Sequence, residues 1–241
     1  MDEDITQTLD TLAALMPRKR LIVRDRLLDD ECFWFNVAVD RGLVTFGRCT
    51  SGCDRMKRRA VGGLDHFTTP SGKDRHMFSS PESVEPSLNR EYVPHIAAWA
   101  RAVYHFDYDA TLSRFSFYRR YTRDLLVKKQ GRSYETDVEF DDPNGQLFLQ
   151  IEAKKDARQV DRLAAQLDAA RGLDDLPPGT AKEVEYVLDL APRYLWVVGP
   201  GSVDPEAHVF AVEVEGLNAR FERVDSLPTF PNNRQTTPSP S

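Results

Sequence analysis

Cysteine is scarce in this sequence: 241 residues carry three, Cys32, Cys49 and Cys53. An odd, sparse set does not build a disulfide framework and points to a reducing compartment, the cytoplasm. No apolar run approaches the roughly 20 residues that a membrane-spanning helix needs. The opening residues, "MDEDITQTLD", are acidic and polar where a secretory leader needs bases and then an apolar stretch. The five histidines form no H-x-E or H-E-x-x-H pattern, and neither a G-x-S-x-G elbow nor a phosphate-cradling glycine loop is present. Cys49 and Cys53, spaced C-x3-C ahead of His66 and His76, do not match a zinc knuckle and read as free thiols. Positive charge is also short. The 32 Lys and Arg against 38 Asp and Glu leave a net −6, which excludes a protein that coats a polyanion with its whole surface.

The bases that do exist are clustered. "RMKRR" at 55–59 holds four, and from Arg114 to Arg132 seven bases face one acid, Asp124. In "RFSFYRRYTRDLLVKK" aromatic rings alternate with cations, a composition that suits stacking on bases beside phosphate contacts. Arg119, Arg120, Arg123, Lys128 and Lys129 are the candidates for those contacts, with nucleic acid as the expected partner and no membrane.

The pattern along the chain divides it into three parts. Residues 1–89 read as an extension: an amphipathic helix with Ile5, Leu9, Leu12 and Met16 on one face, a β-hairpin in "CFWFNVAVDRGLVTFGRC", and a long loop region. Residues 90–227 read as an α/β domain in the order helix, three strands, helix, strand and further strand. Its first helix carries Val93, Ile96, Ala97, Ala100 and Val103 at helical spacing, and "ARQVDRLAAQLDAARGL" is a helix closed by Gly172. Residues 228–241, rich in Pro, Ser and Thr, read as a disordered tail.

The chemistry sits in "ETDVEFDDPNGQLFLQIEAKKD", residues 135–156. Alternation places Leu149, Ile151 and Ala153 on one face of a strand, and Gln150, Glu152 and Lys154 on the other. A two-residue turn at Asn144 and Gly145 sets Pro143 against Gln146, Asp137 across from Glu152, and Glu135 across from Lys154. Two opposed carboxylates repel unless a cation lies between them. A divalent metal held by one or two carboxylates, with a lysine alongside, is an arrangement for metal-assisted hydrolysis of a phosphate ester. The plainer alternative is an exposed hairpin whose charges merely pair, Glu135 with Lys154 for instance.

With Asp137 in "TDVEF" and Glu152 and Lys154 in "IEAK", the stretch resembles the PD-(D/E)XK nuclease superfamily over about residues 90–200; Thr136 stands where the superfamily's name has proline. The resemblance implies a restriction-endonuclease-like α-β-β-β-α-β core, a mixed sheet flanked by helices, with the N-terminal α+β extension added. It implies that Asp137 and Glu152 ligate Mg²⁺, with Mn²⁺ as a substitute, and that Lys154 assists the attacking water. Gln159 or Gln166 on the following helix would support the site, and Glu91 would be a further ligand. The implied function is a nuclease acting on DNA, in restriction, phage defence, repair or recombination. Residues 1–89 would select the target, hold a homodimer or bind a partner protein. A catalytically inactive module that grips nucleic acid or protein is the reading from another class.

Overall fold

The structure, a computed structural model, describes residues 3–24, 26–47, 66–68, 74–79, 83–119, 134–201 and 208–231. The chain opens with α1 (Glu3–Leu15), which buries Thr8, Leu12 and Leu15, and Met16 beyond its end. Next comes a helix, α2 (Asp29–Asp40), and not the expected hairpin. The alternation of Phe33, Phe35, Val37 and Val39 misleads because a short apolar run satisfies both periods. The helical signal is the acidic first turn, Asp29, Asp30 and Glu31, which suits the positive end of the helix dipole. Glu31 Oε1 also reaches back to accept from the Leu28 N–H at 2.8 Å, half of a capping box. Burial then falls on Cys32, Phe35, Asn36 and Ala38, while Phe33 is 46% exposed.

The expected returning strand of that hairpin is present as β1 (Thr45–Gly47), and the segment expected as loop contains short strands: β2 (His66–Thr68) and β3 (Asp74–His76) in one small sheet with β1, β4 (Phe78–Ser79) and β5 (Ser87–Leu88) in another. Cys49, Cys53 and the "RMKRR" run lie outside the described residues. Cys32 is a buried thiol that burial pushes up to about 11, so it is unreactive.

From α3 (Tyr92–Tyr104) the chain continues through β6 (Ser113–Arg119), β7 (Tyr134–Asp141), β8 (Leu147–Ala153), α4 (Ala157–Ala169), α5 (Pro178–Val184), α6 (Tyr186–Leu190), β9 (Tyr194–Val198), β10 (Val209–Glu215) and β11 (Asn218–Val224). The expected order of helix, three strands, helix, strand is present, with α5 and α6 inserted before β9. α4 ends at Ala169, because Ala170 turns extended before Gly172 is reached.

The protein is mixed α/β. Six strands form one mostly antiparallel sheet in the order β11-β10-β9-β8-β7-β6, with β8 and β9 its parallel pair. One face, with Phe115, Val138, Phe140, Leu149, Ile151, Trp196 and Val198, packs with Phe35 of α2 and Val93, Ile96 and Ala97 of α3. The other, with Leu195, Val197, Phe210 and Phe221, packs with Val160, Leu163 and Leu167 of α4 and with Val187 of α6. Leu12, Phe35, Met77 and Phe78 belong to the same core as the α3 face of the sheet, so the described part of residues 1–89 and the sheet share one hydrophobic interior. Both faces of β8 are therefore covered, and all seven of its residues are buried.

Of the tail expected to be disordered, residues 228–231 are ordered, and 232–241 lie outside the described residues. Phe230 is 3% exposed and stacks near Tyr108, Phe148 and Phe140 at centroid distances of 4.9, 5.6 and 6.4 Å. The Tyr108 hydroxyl donates to the Pro228 carbonyl at 2.6 Å. Among the described residues, no helix is long and apolar enough to cross a membrane.

Candidate active site

The hairpin between β7 and β8 sets the geometry. Its turn is not the two-residue one expected. Asp142 N donates to Gln146 O at 2.7 Å, leaving three residues, Pro143, Asn144 and Gly145, in the loop. Gly145 has φ +79°, a conformation open to glycine, and the Asp142 carboxylate accepts from the N–H of Asn144 (2.8 Å) and of Gln146 (2.9 Å). The extra loop residue shifts the pairing by one, so that Asp141 faces Leu147. A bulge at Phe148 then shifts it back: Phe140 faces Leu149, Glu139 faces Gln150 and Val138 faces Ile151. The register is defined as far as Val138 opposite Ile151; carried one residue further, it would set Asp137 opposite Glu152. The backbone of Asp137 is paired to Ser116 of β6, while its side chain lies outside the described residues.

Glu152 is 4% exposed, facing the layer of α4 and α6. Lys154 continues the strand by one bond, its N–H donating to Val198 O at 2.9 Å. Its Nζ donates to Glu152 Oε1 at 2.7 Å, and the hydroxyl of Tyr186 donates to Oε2 at 2.9 Å. Burial alone would push the Glu152 carboxyl upward. The Lys154 charge and the hydrogen bonds from Lys154 and Tyr186 outweigh it and hold the carboxyl below the usual range, so Glu152 is ionised at neutral pH. Lys154 thus pairs with Glu152; the Glu135 side chain, its partner in the plainer alternative, lies outside the described residues. Tyr186, 34 residues away, is a site residue that sequence reasoning missed, and nothing local in "EVEYVLDL" marks it.

Glu91 caps the start of α3 without a side-chain capping bond. It keeps solvent access, yet the surrounding protein and then the negative charge of Glu152 raise its carboxyl above the ordinary value, against the opposing pull of Lys154 and Lys155. Glu91 and Glu152 therefore repel each other across one site. Behind them His95 of α3, fully buried, meets Ile151 O at 3.0 Å through Nε2; a carbonyl only accepts, so Nε2 carries the hydrogen. Burial pushes His95 down to about 4, which makes it a neutral tie between α3 and β8.

Other candidates fall elsewhere. Asp156 caps α4, its Oδ1 accepting from Gln159 N at 2.9 Å, which keeps Gln159 in the first turn, near Lys154. Gln166 lies about 10 Å further along the helix axis, and its Oε1 accepts from Thr180 Oγ1 of α5 at 2.6 Å, so it is not brought to Glu152. Glu139, on the face of Asp137, is buried and paired with Arg114, as is Asp141. Arg120, Arg123, Lys128 and Lys129 lie outside the described residues, as does the side chain of Arg119. A cavity of about 470 Å³ opens beside Glu91, bordered by Arg24, Ser87, Asn89, Arg90, Lys155 and Asp156. A larger one of about 690 Å³, against Arg171, Asp174, Glu213 and Arg220, shares no residue with the motif.

A divalent cation fits the donor chemistry, since Glu152 is ionised and an acid at Glu91 already feels its charge. Among the described residues no group of three or more His, Cys, Asp or Glu side chains is gathered for a metal. Compared with protein-family models, with curated proteins and with solved structures, the chain finds no match in any of the three.

Proposed function

We propose that this chain is a Mg²⁺-dependent nuclease, acting on DNA, built on a restriction-endonuclease-like core with Asp137, Glu152 and Lys154 at its centre. The observation that carries the reading is the β7–β8 register, whose continuation by one residue would set Asp137 against Glu152, where Lys154 lies 2.7 Å from the Glu152 carboxylate. The order of elements around the hairpin supports it. In this reading Asp137 and Glu152, with Glu91 beside them, would hold the cation, and Mn²⁺ would replace it. The metal, when bound, supplies Lewis-acid polarisation of the phosphodiester and neutralises charge as water attacks phosphorus and the ester oxygen leaves. Lys154 keeps Glu152 ionised and places a positive charge beside the attacked phosphate. Tyr186 holds the carboxylate in one orientation, and His95 fixes α3, and so Glu91, against the strand.

One observation favours a second reading. Glu152 is nearly sealed, and both of its oxygens already accept hydrogen bonds. A satisfied Glu152–Lys154–Tyr186 trio needs no metal and suits an inactive nucleic-acid- or protein-binding module.

The test is cleavage of labelled linear, circular and single-stranded DNA with Mg²⁺ or Mn²⁺, comparing the wild type with Asp137→Asn, Glu152→Gln and Lys154→Ala. The nuclease reading expects metal-dependent cleavage that each substitution lowers by at least about 100-fold. No cleavage by the wild type, with binding indifferent to chelator, selects the module instead.

A further inference from the structure

We propose that the cavity bordered by Arg24, Arg90 and Lys155 seats a second phosphate of the nucleic acid, adjacent to the one attacked at Glu152 and Lys154. The proposal rests on the nuclease reading for its neighbour and on independent geometry for itself. Three chain segments meet at this cavity: Arg24 from the strand-like stretch after α1, Ser87–Glu91 leading into α3, and Lys155–Asp156 joining β8 to α4. Lys155 follows Lys154 directly, so the cavity adjoins the candidate active site. Two thirteen-residue helices, α3 and α4, begin there, and each turns its positive dipole end toward it.

Arg90 supplies the observation that points to a ligand. It is 6% exposed, and its Nη2 is committed, donating to Arg26 O at 3.1 Å and pairing with Glu31. Its Nε and Nη1 are buried with no hydrogen-bond partner. Buried guanidinium donors are rarely left unmatched, and the open space Arg90 borders is this cavity. Arg24 and Lys155 stand exposed at the rim, and neither has a carboxylate within ion-pair distance among the described residues.

The described acids beside the cavity are occupied. Glu31 answers Arg90, Asp156 caps α4, and Glu91 lies in the field of Glu152 and the two lysines. What remains is a group of cations, Arg24 and Lys155 at the rim and the buried Arg90 in the wall, the chemistry that takes a tetrahedral oxyanion. That anion is either an internal phosphodiester of the bound strand or a terminal phosphate monoester.

The experiment measures affinity of the full chain in chelator, where no cleavage occurs. The probes are an internally labelled oligonucleotide with a 5′-phosphate, the same strand with a 5′-hydroxyl, and its circular form. Arg24→Ala/Lys155→Ala, both exposed positions, is expected to weaken binding by at least about tenfold at low salt and to reduce the salt slope by about 1–2. Loss on all three probes assigns an internal phosphodiester, whereas loss confined to the 5′-phosphate strand assigns a terminal monoester. Unchanged affinity and slope on every probe, with wild-type circular dichroism, overturns the proposal.

Cleavage assays separate the two ideas. Binding that depends on Arg24 and Lys155 without any cleavage keeps the phosphate seat and removes the nuclease reading. Cleavage whose KM ignores the double substitution keeps the nuclease and removes the seat.

Discussion

Arg90→Met isolates the energetic link between the amino-terminal helices and the candidate site. Glu31 is fully buried and Arg90 nearly so, and the two are paired. Glu31 Oε1 has one other donor, Leu28 N at 2.8 Å. Methionine keeps most of the arginine stem but removes the charge, which strands a carboxylate in an apolar interior. Removing one member of a buried pair costs about 3–5 kcal/mol. At roughly 2–4 °C per kcal/mol for a chain of this size, Tm falls by about 6–20 °C.

The pH dependence has a definite sign. Burial raises the Glu31 carboxyl above its ordinary value even with Arg90 opposing it, and loss of Arg90 raises it further. An acid whose pKa is raised on folding contributes stability that is complete below its unfolded pKa and is lost as pH rises through the folded one. The deficit of Arg90→Met is therefore smallest in mild acid and widens toward neutral pH. The double variant Glu31→Leu/Arg90→Met buries no charge and regains most of the loss. Thermal and urea melts of the four species in mild acid and at neutral pH complete the cycle. A deficit independent of pH, or a double variant no better than Arg90→Met, would show that the pair is not the source.

Three further substitutions probe the rest of the site and core. Tyr186→Phe removes one donor from ionised Glu152 and costs about 1.5–3 kcal/mol near neutral pH. Because the Glu152 carboxyl is held below its usual value, the stability it contributes is present above the ordinary glutamate pKa and lost as pH falls. The cost of Tyr186→Phe should therefore shrink in acid, and equal urea midpoint shifts at both pH values refute this. Gly199→Ala would place a Cβ 2.4 Å from Val160 Cγ2 and 3.1 Å from Lys154 O, prising α4 from the end of β8. It should cost about 1–3 kcal/mol in a urea melt; a wild-type melting profile would contradict it. Phe230→Ala empties a site among Tyr108, Phe140 and Phe148 and should cost about 3–5 kcal/mol by calorimetry. An unchanged Tm would mean the ring is not part of the core.

Period-2 alternation was readable wherever a strand is long and flanked by turn residues, which is why β6 to β11 fall where the pattern put them. It failed at residues 33–39, where six apolar residues in seven fit either period and the deciding signal was the acidic turn before them. It failed again at Phe230, because a single ring in a Pro-rich stretch reveals nothing of the Tyr108 and Phe148 rings that receive it. Composition registers the polarity of a segment, and a lone anchoring side chain does not alter that average.

The register of Val138, Glu139 and Phe140 against β8, which would carry Asp137 to Glu152, was legible for a deeper reason than the turn. The loop is one residue longer than "DPNG" suggests, and the Phe148 bulge takes that residue back out before the core begins. A register error of one would have turned Val138, Phe140 and Ile151 out of the α3 face, at about 1.5–3 kcal/mol for each large side chain. The hydrophobic face thus fixes the register, and the turn accommodates it. What alternation could not convey is that the polar face of β8 is covered too. That cover comes from α6, through Tyr186, and it makes Glu152 a buried, ionised and doubly hydrogen-bonded carboxylate. A cation reaching it must share oxygens that Lys154 and Tyr186 already hold, so the mobility of α6 against β8, more than the presence of the acids, decides between an active nuclease and a binding module.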